Sequence, residues 1–160
     1  MVENSKNLLI KLIFLISVIA LVSAFFIEYV LGHQPCNLCI LERIPYLLAI
    51  IIILLNFKFS HYEKFFILLL SIIFLAGAII SLYHLGIEQG FVQESQVCDL
   101  KSGSNLLSKE EILKQLQEKN VSCKNVTLKI FGLSLTSYNI LISLLITISS
   151  GKIYFNYEKN

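Results

Sequence analysis

Long apolar runs separated by short polar stretches dominate this chain, and the pattern predicts helices that cross a membrane. The runs cover residues 8–31, 44–57, 65–87 and 133–155. A membrane-spanning helix needs about 20 apolar residues to cross a hydrocarbon core of about 30 Å. The second run is too short alone and reaches that length only if its helix begins back near Leu38. We therefore predict spans at about 8–31, 40–57, 65–87 and 133–155.

These spans predict the fold class. Backbone groups in lipid must find their hydrogen bonds within the protein, so spanning segments are helical or form closed barrels. We expect an all-α membrane protein, a four-helix bundle forming one domain over residues 1–160. Its polar loops, at about 32–39 and 88–132, carry all four cysteines. An even number of crossings between the loops puts both on one face of the membrane.

The longer loop contains a predicted helix of its own. Ser108 and Glu111 have the spacing of a capping box, and Leu107 and Ile112 flank them as a hydrophobic staple. The apolar stripe that follows predicts a short amphipathic helix on the membrane surface. Packing on the bundle or against a partner is the alternative.

The first apolar run has a second interpretation, as a cleaved signal peptide. Lys6 and Lys11 supply a basic start, and residues 22–24 (VSA) resemble a cleavage site. The run continues beyond that site and is longer than the 7–15 residues usual for a signal peptide, which favours an uncleaved anchor.

The orientation in the membrane depends on the first helix. Lysine and arginine are almost evenly divided between the two faces, so their count alone does not decide the orientation. Because the first helix usually dominates, its basic flank indicates an inside N-terminus.

Composition agrees with a membrane protein and excludes one class of partner. Hydrophobic residues make up 56% of the chain and charged residues 15%, with a mean hydropathy of +0.74. The net charge of +2 is small and dispersed, which does not suit nucleic-acid binding.

Cys36 and Cys39 form a C-x-x-C pair directly after the first span. This spacing lets two thiols cycle between dithiol and disulfide. Pro35 suits the start of a helix, and Arg43 follows Cys39 by four residues, which on one helix places both side chains on the same face. Arg43 is therefore expected to stabilise a thiolate, with a role as a snorkelling interface anchor as the alternative.

Cys98 and Cys123 lie in the long polar loop. A disulfide between them would close a large loop and stabilise the fold by about 3–4 kcal/mol, so a structural staple is the simplest interpretation. Both pairs would face an oxidising compartment, where disulfides persist. A zinc site built from all four cysteines is disfavoured because zinc sites use two closely spaced pairs, and no metal ligands are predicted.

His84 and Glu88 lie one helical turn apart at the end of the third span. They are candidates for a proton relay. The alternative is a histidine at the interface whose ring is hydrogen-bonded and has no role in the chemistry.

The chain resembles the DsbB family, the disulfide bond formation proteins of bacterial inner membranes. The resemblance rests on segments that span all four helices and both loops: 35–39 (PCNLC) with 42–43 (ER), 83–89 (YHLGIEQ), Cys98, Cys123, 131–134 (FGLS) and Asn139. The loop is short and the chain has no tryptophan, which departs from the family pattern.

The resemblance implies a function, a cofactor and a partner. The protein would be a protein-disulfide:quinone oxidoreductase of the bacterial inner membrane, with its cysteine loops in the periplasm. Cys98, paired with Cys123, would be attacked by a DsbA-like thiol oxidase. Cys36 and Cys39 would be the quinone-proximal pair, with Cys39 facing a ubiquinone or menaquinone from the membrane pool and Arg43 beside its ring. The expected cofactor-binding residues are Arg43, His84 and Glu88.

Two other functions remain open from the sequence. A membrane subunit with two inert disulfides would not be an enzyme at all. An enzyme like vitamin K epoxide reductase shares the chemistry, although the position of the C-x-x-C pair after the first helix favours the DsbB family.

Overall fold

The computed structural model describes residues 2–93, 98, 123–124, 129–130 and 132–157. The expected amphipathic helix in the long loop lies outside the described residues. Within them the prediction of an all-α membrane protein is confirmed, because four helical segments are long and apolar enough to cross a membrane. The helices are α1 (Val2–Tyr29), α2 (Asn37–Leu41), α3 (Ile44–Lys58), α4 (Glu63–Glu88) and α5 (Leu135–Tyr157).

The second span is divided into α2 and α3, a break that the sequence pattern did not predict. The chain turns at Glu42 and Arg43, and the backbone N–H of Arg43 donates to the Ile40 carbonyl at 3.1 Å. Pro45 then occupies the first turn of α3, where its missing N–H costs nothing. The two parts together, Asn37–Lys58, are long enough to span. The turn directs Glu42 inward, and its side chain is buried.

The helices pack around a core that runs along the bundle. α4 makes its most extensive contact with α5, and α3 packs against both α1 and α4. Small residues let helices approach closely in membranes. Ser17, Ser81 and Ser143 are accordingly buried between helices. The main hydrophobic cluster includes Ile13, Tyr46, Ala49, Ile53 and Phe74. Large apolar side chains remain exposed on the outer faces of the helices, as expected for lipid contact.

Each end of the bundle has its own connection. At one end a 3₁₀ turn, Ser60–Tyr62, joins α3 to α4, and Lys6 forms an ion pair with Glu63 at 2.7 Å. At the other end β1 (Lys129–Ile130) and β2 (Leu133–Ser134) form a short antiparallel hairpin just before α5. Its turn contains Gly132 at φ 83°, a conformation that favours glycine. The hairpin was not predicted, and α5 begins two residues later than the predicted fourth span.

Candidate redox site

All four cysteines meet at one end of the bundle. Cys36 and Cys123 belong to one buried cluster, and Cys39 and Cys98 pack against it. Cys98 and Cys123 are joined by a disulfide, whereas Cys36 and Cys39 are free thiols. The side-chain amide of Asn37 donates to the Cys98 carbonyl at 3.2 Å, which ties the long loop to the start of α2. Helices α2 and α4 and the long loop thus bring the two pairs together, as two loops on one face require.

Cys36 is the N-cap of α2. Its sulfur accepts a hydrogen bond from the backbone N–H of Cys39 at 3.2 Å. A hydrogen bond from the Cys39 side chain lowers the pKa of the Cys36 thiol, and the nearby His84 ring lowers it further, while burial opposes both effects. Thiolates are the reactive form of cysteine. In this reduced state the contacts that stabilise a thiolate therefore surround Cys36.

His84 lies between Cys36 and a carboxylate. Its Nε2 is 3.6 Å from the Cys36 sulfur, and its Nδ1 is 2.8 Å from Glu42 Oε1. A carboxylate only accepts hydrogen bonds, so this contact favours the proton on Nδ1 and turns Nε2 toward the sulfur. The ring is 2% exposed, so these contacts hold it in one orientation. His84 thus has the geometry of an acid–base partner for Cys36.

Glu42 is in turn held by α5. Its Oε2 accepts from the Asn139 side-chain amide at 3.1 Å, and the same amide donates to Ser81 Oγ at 2.7 Å. Tyr46 donates its hydroxyl proton to the side-chain oxygen Oδ1 of Asn139. A continuous hydrogen-bonded chain therefore runs from Tyr46 through Asn139, Glu42 and His84 to Cys36.

Glu88 is a second carboxylate close to His84, on the side of the ring nitrogen Nε2. Its Oε1 is 3.8 Å from His84 Nε2 and accepts a hydrogen bond from Thr136 at 2.7 Å. Its Oε2 is buried and has no hydrogen-bond partner among the described residues. The predicted pair of His84 and Glu88 is therefore brought together at the site, and one oxygen of the carboxylate has no donor in the described part of the chain.

Arg43 occupies a different environment from the one its spacing predicts. α2 ends at Leu41, so Cys39 and Arg43 do not lie on one continuous helix. Arg43 donates to Glu28 of α1 at 2.6 Å, and its guanidinium lies 5.3 Å from the centre of the Phe25 ring. The expected contact with a Cys39 thiolate stays a prediction.

A cavity of about 560 Å³ opens beside the cysteines. Most of its apolar lining comes from α1, including Ile16, Ala20 and Ile27. Its polar and reactive lining comes from Cys36, Cys39, Arg43, His84, Glu88 and Asn139. Cavities of this size, mostly apolar with a few convergent polar groups, are typical small-molecule sites.

The structure thus gathers all seven residues singled out from the sequence at one end of the bundle. It adds Glu42 and Thr136 as partners of His84 and Glu88, and Asn139 as a partner of Glu42; no role had been given to these three residues. Glu42 and Asn139 belong to the segments that carry the family resemblance. That resemblance was the one feature of the sequence that could have pointed to them. Their contacts join the turn between α2 and α3 to α4 and α5, and a single sequence does not show which helices are neighbours.

Comparison with known proteins identifies relatives of the chain. Residues 6–152 match the family model for "Disulfide bond formation protein DsbB". The uncharacterized protein RP370 of Rickettsia prowazekii (strain Madrid E) is 35% identical over 150 residues, which cover 91% of this chain and 86% of that protein. No solved structure matches significantly.

Proposed function

The chain belongs to the DsbB family of membrane disulfide bond formation proteins, and from that premise we propose that it oxidises a DsbA-like thiol oxidase and passes the electrons to a membrane quinone. The observation that carries the proposal is the convergence of two cysteine pairs beside one cavity. The protein would lie in the bacterial inner membrane with its cysteine loops in the periplasm, where disulfides persist.

The first step is disulfide exchange with the partner. A thiolate of the reduced partner attacks Cys98, the S–S bond to Cys123 breaks, and a mixed disulfide forms. The second partner thiol resolves it, which leaves an oxidised partner and two thiols on Cys98 and Cys123. The burial pattern supports this order, because Cys98 is partly exposed whereas Cys123 is buried.

The second step moves the two electrons inward. The Cys123 thiolate attacks the Cys36–Cys39 disulfide, and Cys98 completes the exchange, so the outer disulfide reforms and the inner pair becomes a dithiol. The packing of Cys123 with Cys36 in one buried cluster supports this transfer. Outer disulfide with inner dithiol is also the redox state of the structure described above.

The third step returns the inner pair to a disulfide. Two electrons and two protons leave Cys36 and Cys39 and convert a quinone, ubiquinone or menaquinone, to its quinol. The cavity suits such a ligand because its apolar lining can hold a prenyl tail and its polar side chains can bind the ring oxygens. Cys39, which is more exposed than Cys36, would deliver the electrons. His84 and Glu88 would handle the protons, and Arg43 would stabilise negative charge on the quinone.

Quinone reduction by the purified protein tests the proposal. The full chain in detergent is mixed with a reduced thioredoxin-fold dithiol protein and a soluble quinone, and quinol formation is followed by absorbance. Catalytic turnover that needs both substrates is the expected result. If the protein supports no quinone reduction while both disulfides stay intact, it is instead a membrane subunit with inert staples. If the protein reduces a small epoxide or quinone equally well with any thiol donor, an enzyme like vitamin K epoxide reductase becomes the better description.

A further inference from the structure

We propose that the reduced Cys36–Cys39 pair and His84 form a binding site for a soft divalent cation such as Zn²⁺. The ligand atoms of these three residues all lie within 4.8 Å of one another. Thiolate and imidazole are the ligands that Zn²⁺ prefers in proteins. The four-cysteine zinc site disfavoured from the sequence is a different one, because this site uses one cysteine pair and a histidine from α4.

The distances fit a tetrahedral metal ion. With metal–sulfur and metal–nitrogen bonds of about 2.3 Å and 2.05 Å, tetrahedral geometry separates the two ligand atoms by about 3.6 Å. The Cys36 sulfur and His84 Nε2 are 3.6 Å apart. The backbone N–H of Cys39 already donates to the Cys36 sulfur, which helps to hold the negative charge of a bound thiolate.

The surroundings of His84 match those of a metal-binding histidine. A ligating imidazole commonly donates its other N–H to a carboxylate, which fixes the ring orientation and makes the ligand more basic. His84 Nδ1 has that contact with Glu42 Oε1 at 2.8 Å, and Asn139 holds the second oxygen of Glu42. The free ring nitrogen is thus aimed at the two sulfurs before any ion arrives.

The buried carboxylate of Glu88 points independently to a cation at this site. Its side chain is 6% exposed, it lines the same cavity as the three ligands, and Oε1 lies 3.8 Å from His84 Nε2. Oε2 is buried without a hydrogen-bond partner among the residues that the structure describes. A buried carboxylate oxygen without a donor is costly. Glu88 is not one of the three ligands, so a cation at the cysteines would satisfy this oxygen through a bound water in the fourth position.

Binding is controlled by the redox state of the pair. Each thiol must lose its proton to solvent to coordinate the ion, and the Cys36–Cys39 disulfide offers no thiolate. Only the dithiol form therefore holds the cation. Both sulfurs are occupied while it is bound, so neither is free for exchange. The regulatory consequence, a reversible brake on reoxidation of the inner pair, rests on the proposed function, whereas the binding itself does not.

Co²⁺ titration tests the site, because Co²⁺ bound by thiolates in a tetrahedral site absorbs strongly in visible light. The double variant C98S/C123S leaves the inner pair as the chain's remaining cysteines. After reduction and removal of the reductant, we expect one equivalent of Co²⁺ to bind and Zn²⁺ to displace it. Glu42→Gln should weaken binding about 10–100-fold, and His84→Ala at least as much. His33→Ala is the matched control, because His33 lines the same cavity without belonging to the trio.

The oxidised form provides a test that no folding defect can confuse. The same double variant with its Cys36–Cys39 disulfide formed should bind no Co²⁺. Equal binding by the oxidised and reduced forms, equal affinity of the His84→Ala and His33→Ala variants, or no tetrahedral spectrum would each overturn the proposal. In the quinone assay, Zn²⁺ should inhibit the wild-type protein and a chelator should restore turnover. A protein that binds Co²⁺ but never reduces quinone would contradict the proposed function alone.

Discussion

Asn139 shows how a single side chain orders the polar part of the site. It donates to both Glu42 and Ser81 and accepts from Tyr46, so it connects α3, α4 and α5 through three hydrogen bonds. Hydrogen bonds between membrane helices are individually modest, at about 0.6 kcal/mol on average. The importance of Asn139 therefore lies in the orientation of Glu42, and through it of His84, more than in stability.

We predict that Asn139→Ala slows the reaction of Cys36 with an alkylating reagent several-fold at neutral pH. Without its amide, Glu42 loses a donor and no longer holds His84 against the sulfur, so less of the thiol is ionised. The free energy of unfolding should fall by about 1 kcal/mol. Alkylation at each cysteine is followed by mass spectrometry. Asn156→Ala is the control, because Asn156 lies on the same helix and is exposed. Equal rates for the two variants would contradict the positioning role.

The chemistry of the site could be predicted at the level of residue types but not of contacts. The cysteine spacing predicted a redox pair, and both candidate proton carriers, His84 and Glu88, lie at the site. The sequence did not show that Cys36 rather than Cys39 receives the stabilising contacts, because His84 is 48 residues away along the chain. Nor did it show that Arg43 meets Glu28, since that contact depends on how α1 packs against α3.

At the scale of elements, the break between α2 and α3 determines where Arg43 lies. Arg43 is the N-cap of α3, and its ion pair with Glu28 joins α1 to α3 at the same cavity that the cysteines line. An arginine there can stabilise negative charge on the proposed quinone, hold α1 and α3 together, or do both. The matched pair of variants Arg43→Ala and Glu28→Gln separates these roles.

We predict that Arg43→Ala raises the apparent quinone KM or lowers the quinone-linked rate by about tenfold or more, because charge stabilisation next to the reacting group is lost. Both disulfides should still form, and Arg43→Lys should retain part of the activity because it keeps the charge. Steady-state kinetics against quinone concentration measure the effect. If Glu28→Gln reproduces the whole loss, or if quinone kinetics do not change in Arg43→Ala, the guanidinium acts as a helix anchor only.

The contact of α3 with α4 depends on a glycine. A Cβ atom added at Gly77 would lie 2.9 Å from Cγ of Pro45, in a ring that cannot rotate away. We predict that Gly77→Ala destabilises the protein by about 1–3 kcal/mol through overpacking. Gly151→Ala is the control, since its Cβ would meet Ser71 Oγ at 3.7 Å, an ordinary contact. Thermal unfolding in detergent compares the two, and equal transition temperatures would show that the helices move apart freely.

The elements themselves were largely predictable, with exceptions that have clear causes. Hydrophobic run lengths predicted four spans because the lipid core sets the length of each helix. The break at 42–43 was missed because its cause is local turn geometry inside an apolar run. The β1–β2 hairpin was missed because its strands have only two residues each, too short for an alternating pattern.

On the scale of the whole molecule, the protein has two chemically different ends. The turn Ser60–Tyr62 and the ion pair of Lys6 with Glu63 lie at one end, and the cysteines lie at the other. The second span was the doubtful one, and its combined length of 22 residues now suffices to cross. Both pairs can therefore lie on one side of a membrane.

We predict that the end with the cysteines faces outward and that both termini face inward. Single-cysteine variants in intact cells are labelled with a membrane-impermeant thiol reagent. Cys39 and Cys98 should be reachable, at least in part, from outside and protected from reagent on the cytoplasmic side. A cysteine introduced at position 60 (S60C) should show the reverse. Labelling of that position from outside would overturn the four-helix topology and the relay with it.

The central claim, that two cysteine pairs act in series between a protein thiol and quinone, is tested most directly by quinone reduction with two different electron donors. Each cysteine is replaced by serine in turn, and each variant receives either the reduced thioredoxin-fold partner or a small dithiol. The small dithiol can reduce the inner pair without the outer one. Cys98→Ser and Cys123→Ser should lose turnover with the protein donor and keep it with the small dithiol, whereas Cys36→Ser and Cys39→Ser should lose both. Undiminished turnover of Cys98→Ser or Cys123→Ser with the protein donor would contradict the relay and make that disulfide a structural staple.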